Sequence, residues 1–94
     1  MYVGFEQITV SSTVLTQADL TIPAGASHVE LQADTQSVRY TMDNSSDPTA
    51  AIGMILLVTE PPKLFQLEDM QRVRLIRGAG SDAKLNIHYI GNGI

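Results

Sequence analysis

The chain has 94 residues, of which 44% are apolar and 17% charged, with a formal net charge of −4 and no cysteine. That length suits one small domain with no second core, and a domain this size hides only about 60–70% of its unfolded surface. Without cysteine there are no disulfides or thiolate metal sites, and an acidic chain lacks the Lys/Arg excess that a sequence-independent grip on nucleic acid requires.

Almost every segment alternates with a period of two and is rich in β-branched residues, so strand is expected rather than helix. An irregular first strand covers Phe5 to Val10, and residues 1–7, which mix Tyr2, Val3 and Phe5 with Gly4, suit either an N-terminal arm or an edge strand. Val14, Thr16, Ala18, Leu20 and Ile22 predict one half-buried strand, or two with a bend, ended by the turn residues Pro23 and Gly25. Val29, Leu31 and Ala33 face inward, then Val38, Tyr40 and Met42, which makes residues 28–43 a candidate hairpin. Residues 43–49 (DNSSDPT) are the strongest loop signal. The continuous apolar run 54–58 predicts a central strand dry on both faces, with a second sheet over one and a partner over the other.

Leu64, Phe65 and Leu67 predict a short strand or extended stretch, and residues 67–71 a single helical turn with carboxylates at its start. Val73 and Leu75, followed by a Gly-rich turn at 78–82 and by Leu85, Ile87 and Tyr89, predict a second hairpin. The total is about eight short strands without crossover helices, for which the expected fold is an all-β, antiparallel sandwich of jelly-roll type built as one domain over 1–94.

No Gly-x-Ser-x-Gly, phosphate-cradling glycine loop or His-Glu-x-x-His occurs, so no catalytic, cofactor or metal residue is expected and the chain is not read as an enzyme. His28 and His88 share their strand faces with polar residues and are expected at the surface. Asp43, Asn44, Ser45 and Asp47 cluster oxygens, but without the Gly and bidentate Glu of an EF-hand they predict an Asx-rich turn. The longest apolar run is far too short to cross a membrane, and the first residues have neither region of a secretory signal. A cytoplasmic product is therefore expected.

Low charge leaves much surface suited to contact with protein. Candidate interface residues are Tyr2, Val3 and Phe5 in the N-terminal segment, Met54, Ile55, Leu56 and Leu57 in the apolar run, and Arg72 and Arg74, whose guanidinium groups suit bidentate pairing between subunits. Residues 1–47 carry a net charge of −5 and residues 48–94 one of +1. If the two halves occupy different sides of the domain, copies could pair head to tail and close into a ring.

Residues 37–43 (SVRYTMD), 47–50 (DPTA), 53–56 (GMIL), 73–77 (VRLIR) and 83–89 (AKLNIHY) together resemble small structural proteins of tailed bacteriophages. The likeness spans roughly residues 27–90; where such chains often have Gly after the loop Asp, Asn44 stands here. The resemblance implies a β-sandwich subunit that assembles symmetrically and does no chemistry. The expectation is a virion protein, made in the host cytoplasm, that decorates and cements the capsid as a homo-oligomer, a trimer, bound to the major capsid protein. A head–tail junction or tail component is the alternative, and a carbohydrate-binding module another, for which Tyr2 and Phe5 are the free aromatic rings.

Overall fold

The structure, a computed structural model, describes residues 1–91. Four strands form a front sheet in the order β1 (Tyr2–Val10), β8 (Ala83–Gly91), β3 (Ala26–Asp34), β6 (Lys63–Gln66). Four more form a back sheet in the order β2 (Leu15–Thr16), β7 (Arg74–Arg77), β4 (Val38–Thr41), β5 (Met54–Leu56). The expected eight-stranded antiparallel sandwich is therefore the observed one.

The connectivity follows from four nested antiparallel pairs: β1 with β8, β2 with β7, β3 with β6, and β4 with β5. The chain behaves as one long hairpin doubled back at residues 42–53 and then rolled, with β3–β8 and β4–β7 pairing to complete the two sheets. That is a jelly roll. Among the described residues only the 42–53 connection stays within a sheet, and every other link crosses the sandwich.

This topology corrects both expected hairpins. Residues 28–43 and 73–89 each alternate as anticipated, but β3 and β4 lie in opposite sheets, as do β7 and β8. Alternation reports which side chains are buried, and a sheet-crossing arch leaves that pattern unchanged. The two arches meet directly: the Gly78 N–H donates to the Ser37 carbonyl at 2.8 Å. A Cβ at position 78 would stand 2.6 Å from Ser37 Oγ and 3.2 Å from the Ser37 carbonyl oxygen, so a larger residue there would push Ser37 aside.

The strand expected over 14–22 is limited to Leu15–Thr16 and gives way to a 3₁₀ turn at Gln17–Asp19. Thr16 Oγ1 accepts from the Ala18 N–H and Asp19 Oδ2 accepts from the Thr16 N–H, so a reciprocal cap displaces the ladder. Leu20 and Ile22 still pack against the core. The expected helical turn is present as α1 (Leu67–Met70), and its Met70 is completely buried.

The core lies between the sheets. Val29, Leu31, Leu85, Ile87 and Tyr89 project from the front sheet and meet Val38, Tyr40, Leu56 and Leu75 from the back. Phe65 meets Tyr40 edge-on across the sandwich, with ring centroids 5.5 Å apart. Within this layer Tyr89 donates to Glu6 Oε2 at 2.6 Å, and the same oxygen accepts the Thr21 N–H at 2.8 Å.

Burial, and after it Glu6, push the Tyr89 hydroxyl well above the usual tyrosine value. A group whose folded pKa lies above its unfolded one stabilises the fold below the unfolded value, about 10, and that stability is lost as pH rises through the folded value. Thermal unfolding midpoints measured between pH 8 and 12 should therefore fall above about pH 10, and Tyr89→Phe should flatten that fall.

Residues 42–53 form an ordered loop. Asp43 Oδ1 accepts from the Ser45 and Ser46 N–H groups and Oδ2 from the Ser46 hydroxyl, which holds the Asp43 carboxyl well below the usual range. This is the expected Asx-rich turn, followed by Asn44 at φ 61°. Arg74 of β7 donates to the Asn44 and Ser45 carbonyls and to Asp47 Oδ1, the last at 2.6 Å. Arg39 of β4 donates to the Ala50 and Gly53 carbonyls. Arg74→Ala should cost about 1–2 kcal/mol in denaturant unfolding, because it removes several charged donors from part-exposed acceptors.

Candidate binding face

The outward face of the front sheet is arranged in rungs set by strand register. Phe5, His88, Glu30 and Leu64 share one rung; Gln7, Asn86 and Gln32 share the next. The regular two-residue period of β8 puts Leu85, Ile87 and Tyr89 inside and Asn86 and His88 outside.

At the N-terminus of β1 the register shifts between Tyr2 and Gly4. Val3 turns toward the core while Tyr2 stays outward, as expected of a bulge. A Cβ on Gly4 would approach Pro23 Cγ to 3.1 Å, so the bulge also needs a small residue. Residues 2–7, whose sequence fits either an arm or an edge strand, run as the edge strand of the front sheet. Their broken apolar period has a simple cause: Phe5 points outward and Glu6 inward, each against its polarity, because Glu6 serves Tyr89 and Thr21.

His88 is the centre of this face. Its ring lies 4.4 Å from the Tyr2 ring, tilted by 35°, and 5.2 Å from Phe5, edge to face. His88 Nδ1 stands 3.9 Å from Glu30 Oε1, close enough to attract when the imidazole is protonated. Glu30 also raises the Tyr2 hydroxyl above the usual tyrosine value, first through hydrogen bonding and then through its charge. Below this rung Gln7 Nε2 donates to Asn86 Oδ1 at 2.8 Å, and Asn86 Nδ2 donates to Gln32 Oε1 at 3.4 Å.

The candidate interface residues are divided among different environments. Tyr2 and Phe5 are 58% and 60% exposed on this face, while Val3 packs inward. Residues 54–58 are not a central strand: β5 has three residues and is the edge of the back sheet. Leu56 is buried and Ile55 half-buried, whereas Met54 and Leu57 are exposed, together with Ile52 and Val58. A continuous apolar run therefore reflects one edge facing solvent, not two dry faces. Arg72 is exposed ahead of β7, and Arg74 is half-buried and engaged with the 42–53 loop.

The charge halves are interleaved, since each sheet alternates strands from the two halves of the chain. This mixing removes the basis for head-to-tail pairing by charge. Sequence reading missed Leu64, although the inward Phe65 implies it, and missed the meeting of Tyr2, Phe5, His88 and Glu30, which depends on non-local register. A scan against protein-family models finds no match, and searches of curated proteins and of solved structures return no significant similarity.

Glu30→Gln should bring the Tyr2 titration down toward the ordinary value of about 10. Ring-carbon NMR of the tyrosines across alkaline pH reads this directly, with Tyr89 remaining high as the internal reference.

Proposed function

We propose that this chain is a structural subunit of a tailed-bacteriophage virion, a capsid decoration protein that binds the head as a small homo-oligomer. The observation that carries the reading is the exposed apolar margin at β5. Ile52, Met54, Leu57 and Val58 lie within seven residues on and beside a strand edge that pairs with nothing among the described residues, and all four are at least 43% exposed. Contiguous apolar surface on a small domain marks contact with another protein, and an open edge offers backbone groups for it. The placement of that contact in a virion rests on the motif resemblance over residues 27–90.

A decoration subunit bound only to the assembled shell stabilises it by mass action. The major capsid protein is the proposed host surface and a trimer the proposed oligomer, formed through the β5 margin. The 42–53 loop, held by hydrogen bonds from Arg39 and Arg74, leads directly into that margin.

Light scattering at micromolar concentration should give a stable multimer, and the double variant Met54→Asp/Leu57→Asp should weaken association by about 100-fold or more while its far-UV circular dichroism stays that of the folded β-sandwich. A clean monomer mass for the unaltered protein counts against the oligomer. Immunogold labelling of purified virions should decorate the head; labelling confined to the neck or tail assigns the chain to that station instead.

A further inference from the structure

The front sheet carries a shallow depression of about 200 Å³ lined by Phe5, Glu30, Gln32, Pro62, Asn86 and His88. Phe5 on β1 and Pro62, just ahead of β6, come from the two margins of the sheet and are apolar. Asn86 and His88 of β8 and Glu30 and Gln32 of β3 form a polar floor between them.

That floor has donors and acceptors left to offer. The Gln7–Asn86–Gln32 relay uses one N–H of Asn86, whose amide has a second, and each amide oxygen has two lone pairs. Glu30 adds a carboxylate. His88 turns Nδ1 toward Glu30, which leaves Nε2 for another partner. Side chains on adjacent strands are about 4.8 Å apart, and equatorial hydroxyls on alternate carbons of a pyranose ring are spaced comparably.

Charge narrows the ligand further. Glu30 and His88 are the ionisable groups in the lining, one acidic and one basic, and they face each other. A polyanion would meet no cluster of cations, and a polycation only a single carboxylate. A neutral ligand with many hydroxyls and an apolar C–H face fits both the floor and the exposed Phe5 ring.

We infer that this depression binds a neutral pyranose sugar, its C–H face against Phe5 and its hydroxyls on Asn86, Gln32 and Glu30. Its volume is below the roughly 300–1,000 Å³ of pockets for drug-sized ligands, so it takes one sugar ring, free or within a glycan. The site is on the opposite sheet from the β5 margin and does not depend on the proposed assembly role.

The test is titration of the ¹⁵N-labelled full chain with the methyl glycosides of glucose, galactose and mannose, and separately with a short neutral peptide containing proline and tyrosine. At least one glycoside should shift the amides of Phe5, Gln32, Asn86 and His88 saturably, with a dissociation constant of about a millimolar, as befits so small a ligand. Phe5→Ala and Asn86→Ala should each weaken it about tenfold, while Ser81→Ala, at an exposed position in the 78–82 turn, leaves it unchanged; thermal midpoints confirm that each variant is folded. The inference is overturned if no glycoside gives saturable shifts, if the shifts lie away from these residues, if both front-sheet variants bind as before, or if only the peptide binds.

Discussion

Strand β8 is the element on which the rest of the molecule depends. It is hydrogen-bonded on both sides, to β1 and β3, over almost its whole length, and its inward residues Ala83, Leu85, Ile87 and Tyr89 are almost completely buried. Burial of each large side chain among them contributes about 1.5–3 kcal/mol. A slip of one residue would exchange these for Lys84, Asn86 and His88, so the register is strongly specified. The same alternation that buries the core sets the outer face, and His88 meets Tyr2, Phe5 and Glu30 because Ile87 and Tyr89 cannot turn outward.

The two sheets are stabilised by different means. The front sheet has three long or well-paired strands and relies on ladder hydrogen bonds and apolar contact. The back sheet has strands of two to four residues, too short to define themselves, and it draws order from side chains. Arg39 and Arg74 tie its strands to the 42–53 loop, and Pro48 is buried within that loop. Its Gly53, at φ 134°, occupies a conformation that side-chain-bearing residues rarely adopt, and it returns the chain to β5. Two arginines therefore do for the back sheet what strand length does for the front.

Edges give the molecule its asymmetry. β1, at one edge of the front sheet, is twisted by a bulge and carries polar residues between Phe5 and Val10, a pattern that discourages indiscriminate pairing. β5, at one edge of the back sheet, is short but flanked by exposed apolar residues. A short edge limits uncontrolled strand addition while leaving side chains available for a specific partner. The aromatic and amide face lies on the other sheet, so the two surfaces can be occupied at the same time.

The sequence by itself determined the class of fold, the number of strands, the single helical turn and the inward residues of β3, β4 and β8, because those follow from local period and turn chemistry. One apparent exception was also local in cause, since Thr16 and Asp19 spell a capping pair that interrupts the expected strand; the inverted sides of Phe5 and Glu6 were not, because Glu6 is held inward by the distant Tyr89 and Thr21. Tertiary structure alone decided that the 28–43 and 73–89 segments are arches, that residues 54–58 lie at an edge, and that Arg74 serves a loop. It alone brought residues 5, 30, 64 and 88 onto one rung. The reason is physical: period two fixes which face a side chain takes, but the neighbour across the ladder is chosen by which long-range pairing closes the sandwich, and that information is not local to any segment.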